Sequence, residues 1–165
     1  MLNGGLNTVV PWKAEFNMKP QIDKKFFNEE EIRTLIWGLY DKARKLKIDE
    51  VVGIARGGLH ISEPLAKMLG KPHSSIYLSF YNGEKRRRKP ILKMSSELDK
   101  NKTYLVCDDM IDNGNTMDYF FKNVAKDISC KSAVLFYNPD NAKKFVPDIW
   151  IMYKPKQWVV FPWGD

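Results

Sequence analysis

Apolar residues follow two different spacings along this chain of 165 residues. Between residues 29 and 46 they recur every three or four positions, as in an amphipathic helix, and Asn28 precedes them as an N-cap. Elsewhere, short continuous apolar runs indicate strands that are buried on both faces. Because strands and helices alternate, the pattern predicts an α/β fold with a mostly parallel central sheet flanked by helices. The predicted helices span residues 29–46, 60–69 and 116–126, and the predicted strands span residues 51–55, 75–81, 103–107, 133–137 and 149–153, with a further strand possible at 91–94.

Two stretches of the chain lie outside this alternation. Residues 1–26 contain glycine and proline without a regular spacing, so we predict an N-terminal extension there and a single domain over residues 27–165. Residues 82–90 are predicted to form a loop, which carries the basic run Lys85–Lys89.

Charge and cysteine content narrow the class of protein only slightly. The formal net charge of +7 favours anionic partners, either phosphates, nucleotides or nucleic acid. The cysteines, Cys107 and Cys130, lack the spacing of a metal site. The sequence contains neither an apolar run long enough to span a membrane nor the pattern of a signal peptide. We therefore expect a cytoplasmic protein without a membrane span.

A dense group of polar residues follows the apolar strand predicted at 103–107. Two adjacent carboxylates, Asp108 and Asp109, are followed by Asp112 and then by a glycine and a hydroxyl at the start of a helix. Amide groups at such a position bind a phosphate, while carboxylates accept hydrogen bonds from sugar hydroxyls or bind Mg²⁺. Each residue alone could be a helix cap or a solvated strand end. The combination predicts a site for a sugar phosphate and a metal ion.

The segment Leu105–Thr116 resembles the motif with which type I phosphoribosyltransferases bind phosphoribosyl diphosphate (PRPP), except that Asn113 stands where threonine is usual. The resemblance implies a type I fold with a small C-terminal base-binding hood. It also implies that Asp108 and Asp109 hold the ribose hydroxyls, directly or through Mg²⁺, and that Asp112 is the catalytic base near N7 of a purine. The residues implied to wrap the 5′-phosphate are Asn113, Gly114, Asn115 and Thr116.

A second turn, Gly53–Leu59, is similar to the pyrophosphate loop of the same family. Glycines there expose N–H groups to a diphosphate, and Arg56 adds positive charge. By that resemblance Ala55, Arg56 and Gly57 contact PRPP, with a cis peptide bond between Ala55 and Arg56. Taken alone this turn is a weak signal, because turns of this kind are common.

Over about residues 48–163 the chain looks like the bacterial xanthine-guanine type of the family and, more loosely, the hypoxanthine-guanine type. The resemblance implies that Trp158 stacks on the purine and that the backbone of Val159 contacts its 2-position, while Trp163 is expected in the core. It also places a mobile active-site loop at Phe80 and the residues after it, with Tyr81, Arg86, Arg87 and Arg88. That basic run could equally be a solvated surface or contact nucleic acid.

One position departs from the family. Members that use 6-oxopurines place a lysine before a proline after the next strand, where it donates to O6, and this chain has Asn138 before Pro139. Asn138 is therefore predicted to bind the base, and the sequence leaves open which base it favours. Lys131 or Lys143 could substitute for the missing lysine.

These observations predict a Mg²⁺-dependent enzyme that converts PRPP and a purine base (guanine, xanthine or hypoxanthine) to a nucleoside monophosphate and pyrophosphate. By analogy we expect a homodimer or homotetramer. The alternatives are a PRPP-sensing regulator that binds nucleic acid, against which the aromatic C-terminal segment argues, and a transferase for adenine or a pyrimidine. A phosphatase-like protein with Asp108 as nucleophile is disfavoured because the Asp-x-Asp spacing is missing.

Overall fold

The computed structural model describes residues 22–82, 85–95 and 97–164, and among them the side chains outside residues 81–88. Most of the predicted N-terminal extension therefore lies outside the described residues. No helix in the described part of the chain is long and apolar enough to cross a membrane. The strands are β1 (Lys24–Phe26), β2 (Glu50–Ala55), β3 (His73–Asn82), β4 (Lys85–Met94), β5 (Thr103–Ile111), β6 (Ser129–Tyr137), β7 (Ile149–Tyr153) and β8 (Trp158–Val160); the helices are α1 (Glu29–Ala43), α2 (Leu59–Leu69) and α3 (Asn115–Tyr119), the last continued by a π-helical segment (Phe120–Val124).

Six strands form the central sheet, in the order β4-β3-β2-β5-β6-β7. Neighbouring strands are parallel except β3 and β4, which form an antiparallel hairpin. The predicted mostly parallel α/β sheet is therefore confirmed. Strands β1 and β8 form a separate, parallel two-stranded sheet, which joins residues 24–26 of the predicted extension to the C-terminal segment.

The central strands separate two hydrophobic cores. Val51 and Leu105 face a core that α1 and α2 close, whereas Val52 and Val106 face a second core that α3 and the π-helical segment close. All four of these side chains are fully buried. Both faces of the sheet are thus covered, which explains the continuous apolar runs in the sequence.

Helix α1 begins at a capping box that the sequence indicates. The side chain of Asn28 accepts a hydrogen bond from the backbone N–H of Glu31 at 2.9 Å, and the Glu31 carboxylate accepts one from the backbone N–H of Asn28 at 2.8 Å. The helix ends at Ala43, before the predicted residue 46, because the bonds that follow tighten to three-residue spacing.

The predicted loop at residues 82–90 is wrong, because residues 85–94 form strand β4. Strand β4 lies at the edge of the sheet, where basic side chains and a proline such as Pro90 are tolerated. The possible strand at 91–94 is confirmed as the second half of β4. The pairing of β3 with β4 is irregular between Ser79 and Tyr81.

Strand β5 runs four residues beyond its predicted end, to Ile111. Asp108 and Asp109 are therefore strand residues, and only the segment after Ile111 forms the turn. The following helix begins at Asn115 and changes at Phe120 to π-helical hydrogen bonding, with the N–H of Ala125 donating to the carbonyl of Phe120 at 2.9 Å.

Candidate active site

The two glycine-containing turns predicted from the sequence lie side by side at the carboxyl-terminal edge of the central sheet, where its parallel strands end. β2 and β5 are parallel neighbours, so their carboxyl ends meet at the same edge. The turn after β2 carries Arg56 and Gly57, and the last part of β5 carries Asp108 and Asp109. Ligands bind at this edge in open parallel sheets.

Glycine is required where the two turns meet. A Cβ atom on Gly57 would overlap the carboxylate of Asp109, and one on Gly58 would overlap two backbone carbonyl oxygens. A larger residue at either position would push the turns apart. The peptide bond between Ala55 and Arg56 is cis, as the family resemblance implied.

The adjacent carboxylates of Asp108 and Asp109 are partly buried and lie close together. The backbone N–H of Asp109 donates to Oδ1 of Asp108 at 2.9 Å. Burial, and next the neighbouring Asp109 carboxylate, raise the pKa of Asp108 well above its usual value. Burial also raises the pKa of Asp109, to about 6. A cation at this position would therefore stabilise the ionised pair.

The turn after β5 forms a small polar cavity of about 180 Å³. Its shape depends on Gly114, whose φ of +75° lies in the left-handed region. The side-chain oxygen of Asn113 accepts a hydrogen bond from the backbone N–H of Asn115 at 3.0 Å, which closes the turn from within. Asn113 therefore acts partly as a loop-forming residue. Among the predicted phosphate contacts, those that line the cavity are Asn113, Gly114 and Thr116.

Asp112 meets side chains from two neighbouring strands. Nδ2 of Asn138, which follows β6, donates to Oδ1 of Asp112 at 2.7 Å. Nζ of Lys154, which follows β7, lies 4.0 Å from the same oxygen. The predicted catalytic base and the predicted base-binding residue are thus in direct contact.

Sequence reasoning missed Lys154. The signal was available, because Lys154 directly follows an apolar strand, as Asn138 does. The two lysines that the sequence offered have other contacts. Lys131 pairs with Asp148 at 2.9 Å near the opposite edge of the sheet, and Lys143 donates to the backbone carbonyl of Pro139 at 3.1 Å.

A second cavity, of about 380 Å³, lies between the turn after β2 and the C-terminal aromatic residues. Trp158 lines it and is 51% exposed, whereas Val159 beside it is buried. Trp163 stacks between two rings, 4.6 Å from that of Phe161 and 4.4 Å from that of His60. Trp163 is partly buried and packs against the hydrophobic core from its margin, so the expected core position holds only in part. The full lining is Arg56, Gly57, His60, Asp109, Met110, Trp158, Val159, Phe161, Trp163 and Gly164.

The residues predicted for a mobile loop lie on the β3–β4 hairpin. β4 is the first strand in the order of the central sheet, whereas Asn138 follows β6, next to the last strand. The ring of Phe80 contacts that of Tyr119, the last residue of α3, edge-on with 5.6 Å between the ring centroids. The side chains of Tyr81, Arg86, Arg87 and Arg88 lie outside the described part of the structure.

Asp108 and Asp109 suit Mg²⁺ in their donor chemistry. In the described residues no group of three or more His, Cys, Asp or Glu side chains could hold a metal ion on its own. Mg²⁺ commonly binds through one or two carboxylates, with substrate phosphates and water as further ligands. The partly buried pair, whose pKa values are raised, fits that requirement.

Comparisons with known proteins identify the family and the fold. Residues 21–164 match the family model described as the phosphoribosyl transferase domain. No curated protein sequence matches the chain at a significant level. A purine phosphoribosyltransferase of Pyrococcus horikoshii is 30% identical, with a TM-score of 0.74 over 87% of this chain and 95% of that one.

Two more distant structures share the fold. The xanthine-guanine-hypoxanthine phosphoribosyltransferase of Helicobacter pylori is 17% identical, with a TM-score of 0.72 over 86% of this chain and 93% of that one. The hypoxanthine phosphoribosyltransferase of Trypanosoma cruzi, complexed with its product IMP, is 20% identical, with a TM-score of 0.66 over 91% of this chain and 78% of that one. The chain therefore belongs to the phosphoribosyl transferase domain family, and the predictions of that family, of its type I fold and of a transferase enzyme are confirmed.

Proposed function

We propose that this protein transfers the 5-phosphoribosyl group of PRPP to a 6-oxopurine (guanine, xanthine or hypoxanthine), giving a nucleoside monophosphate and pyrophosphate. The observation that carries the proposal is the close approach of Gly57 to Asp109, where a Cβ on the glycine would overlap the carboxylate. It joins the turn expected to bind the diphosphate to the turn expected to bind the ribose phosphate, as a ligand with phosphates at both ends of a ribose requires. The purine phosphoribosyltransferase of Pyrococcus horikoshii, at 30% identity, supports the choice of a purine.

PRPP would lie across both turns. The backbone amides of Ala55, Arg56 and Gly57, with the Arg56 guanidinium, would bind the diphosphate. The segment 113–116 would hold the 5′-phosphate through its amides, with the Thr116 hydroxyl as a further donor.

Asp108 and Asp109 would face the ribose between the two phosphate groups. They would hold the ribose hydroxyls and Mg²⁺, which supplies positive charge beside the diphosphate when bound. As the bond from C1′ to pyrophosphate breaks, the sugar gains oxocarbenium character, and the two carboxylates stabilise that positive charge.

Asp112 would accept the proton that the purine loses. In the reaction a bond from C1′ to a ring nitrogen forms, the bond from C1′ to pyrophosphate breaks, and the base gives up one proton. Asn138 donates to Asp112 at 2.7 Å, so it orients the carboxylate for this role. Trp158 would stack on the purine, and the backbone of Val159 would contact its 2-position.

The β3–β4 hairpin would cover the reacting groups. We propose that it closes over PRPP and excludes water, with Phe80, Tyr81, Arg86, Arg87 and Arg88 as the contributing residues. A homodimer or homotetramer and a cytoplasmic location belong to the same proposal.

The test is a panel of free bases with PRPP and Mg²⁺, followed by pyrophosphate release. Guanine, xanthine and hypoxanthine should release pyrophosphate in step with nucleotide formation, while pyrimidines should not. A reaction without Mg²⁺ in EDTA should be strongly slowed. Binding of PRPP and of nucleic acid in a salt-dependent manner, without pyrophosphate release from any base, would favour the alternative of a PRPP-sensing regulator instead.

A further inference from the structure

We propose that Lys154 selects a purine with a 6-oxo group by donating a charge-assisted hydrogen bond to that oxygen. The neutral side chain of Asn138 cannot supply this charge. This inference rests on the proposed function. It assigns the base specificity of that function to a residue outside the motif Leu105–Thr116.

The backbone of Lys154 is fixed beside the base-binding residues. Its N–H donates to the carbonyl of Tyr137 at 2.8 Å, and Tyr137 is the residue before Asn138. The side chain is only 12% exposed, and its Nζ lies 4.0 Å from Oδ1 of Asp112. The ammonium group is therefore largely shielded from solvent and lies next to the predicted catalytic base.

The present contacts of the ammonium group leave it able to bind a stronger acceptor. Nζ of Lys154 lies 3.4 Å from the carbonyl oxygen of Pro155 and 3.5 Å from that of Gln157. Good N–H···O hydrogen bonds measure about 2.7–3.2 Å, so both contacts are long. A ligand carbonyl oxygen near Asp112 would give this partly buried cation a shorter, charge-assisted bond.

The chemistry of the purine edge places such an oxygen at the required position. N7 and the substituent at position 6 are neighbours on one edge of the ring. If N7 faces Asp112, the substituent at position 6 falls among the groups that surround that carboxylate. Guanine and hypoxanthine present an acceptor there, whereas adenine presents an amino donor. An ammonium group has no acceptor, so Lys154 would disfavour adenine.

Asn138 would instead favour a purine with a 6-amino group. Because its Nδ2 donates to Asp112, its Oδ1 is the atom that could accept a hydrogen bond from a 6-amino group. The two residues therefore compete in setting the specificity. A charge-assisted bond is about twice as strong as a neutral one, so Lys154 should prevail.

The experiment compares Lys154→Met with wild type and with Lys143→Met as the matched control. Lys143 also donates to a backbone carbonyl and was a candidate for the same role. For guanine and hypoxanthine, Lys154→Met should lower kcat/KM by ~10–100-fold, the usual value of a hydrogen bond to a charged group. The loss should fall mainly on the KM of the base, while the KM of PRPP changes little and Lys143→Met behaves as wild type.

Two further variants separate specificity from folding. Lys154→Arg keeps the charge and should retain part of the 6-oxopurine activity. Adding Asn138→Lys to Lys154→Met restores a cation beside Asp112 and should recover guanine use. A merely structural role for Lys154 would not produce this recovery. Thermal unfolding and PRPP binding of each variant check that the fold is intact.

The outcomes distinguish this inference from the function on which it rests. If wild type uses guanine or hypoxanthine and Lys154→Met keeps full kcat/KM, the inference is overturned and the function stands. If wild type prefers adenine, the inference is overturned, the 6-oxopurine assignment fails with it, and phosphoribosyl transfer stands. If no base releases pyrophosphate from PRPP, the proposed function itself fails.

Discussion

Aspartate residues have opposite pKa shifts at the two ends of the parallel strands in the central sheet. At the edge where the parallel strands begin, Asp148 accepts hydrogen bonds from the backbone and hydroxyl of Ser132, at 2.8 and 3.0 Å, and pairs with Lys131. Burial alone would raise the pKa of Asp148, but these partners outweigh it and the pKa is lowered. At the edge where the strands end, the pKa values of Asp108 and Asp109 are raised.

The difference distinguishes structural carboxylates from the carboxylates of the candidate site. Two other acids at the first edge also have partners: Glu50 pairs with Lys102 at 3.1 Å, and Asp49 accepts from the backbone N–H of Thr103 at 2.8 Å. These contacts join neighbouring strands within the folded chain. The carboxylates at the other edge are close to one another, and a ligand or cation would complete their environment.

The largest expected effect is that of Asp112→Asn on turnover. Loss of the proton acceptor should reduce kcat by ~10²–10⁴-fold, whereas PRPP binding, which depends on the neighbouring amides, should change little. Steady-state kinetics and isothermal titration with PRPP measure the two quantities. Asp148→Asn at the opposite edge is the control and should keep its kcat. Near-normal turnover in Asp112→Asn would show that another group takes the proton.

Gly57→Ala should disturb the site through its geometry. The new Cβ would overlap the Asp109 carboxylate, and displacement of the turn should reduce kcat/KM by ~10²-fold. Gly38→Ala is the matched control, since its Cβ would lie 3.2 Å from the flexible end of Ile151. That control should keep its activity even if it unfolds at a lower temperature. Equal kinetics for the two alanine variants would contradict the close contact between the turns.

Asp109→Asn should stabilise the protein without Mg²⁺ at neutral pH. The pKa of Asp109 rises from about 4 in the unfolded chain to about 6 in the folded state. The folded state therefore binds more protons between pH 4 and 6, and this carboxylate lowers the free energy of unfolding as pH rises through that window. Removing the charge should recover at most about 3 kcal/mol at pH 7.5.

Denaturant unfolding in EDTA at pH 7.5 and at pH 4 measures this gain. The advantage of Asp109→Asn should be present at the higher pH and small at the lower one. Added Mg²⁺ should stabilise wild type more than the variant. A variant that is less stable than wild type at pH 7.5 would mean that Asp109 has a stabilising partner.

Asp148→Asn should change the free energy of unfolding least. It should destabilise the protein, whereas Asp109→Asn should stabilise it. Because the pKa of Asp148 is lowered in the folded state, its ionised form stabilises the fold above the unfolded pKa of about 4. That contribution is lost as pH falls through the lowered folded value. The variant should lose about 1–2 kcal/mol at pH 7, and the loss should shrink in acid. A loss that is independent of pH would point to packing instead of charge.

Local signals predicted much of the fold and identified the two turns of the candidate site. Helix α1 followed from its apolar spacing and from the Asn28 cap, and the buried strands followed from their apolar runs, because these signals act over a few residues. The first half of strand β4 was predicted as a loop, and only its position at the edge of the sheet makes a strand of that basic composition favourable.

The sequence by itself determined the chemistry of the two turns: their glycines, carboxylates and hydroxyl stand in consecutive positions and need no distant partner to be recognised. Only the tertiary structure decided which side chains meet Asp112. Asn138 and Lys154 follow two different strands and reach Asp112 because parallel neighbouring strands end at one edge of the sheet. Pairing between distant strands is a long-range property, so a cation that is separated from the motif along the chain can still lie beside it in space.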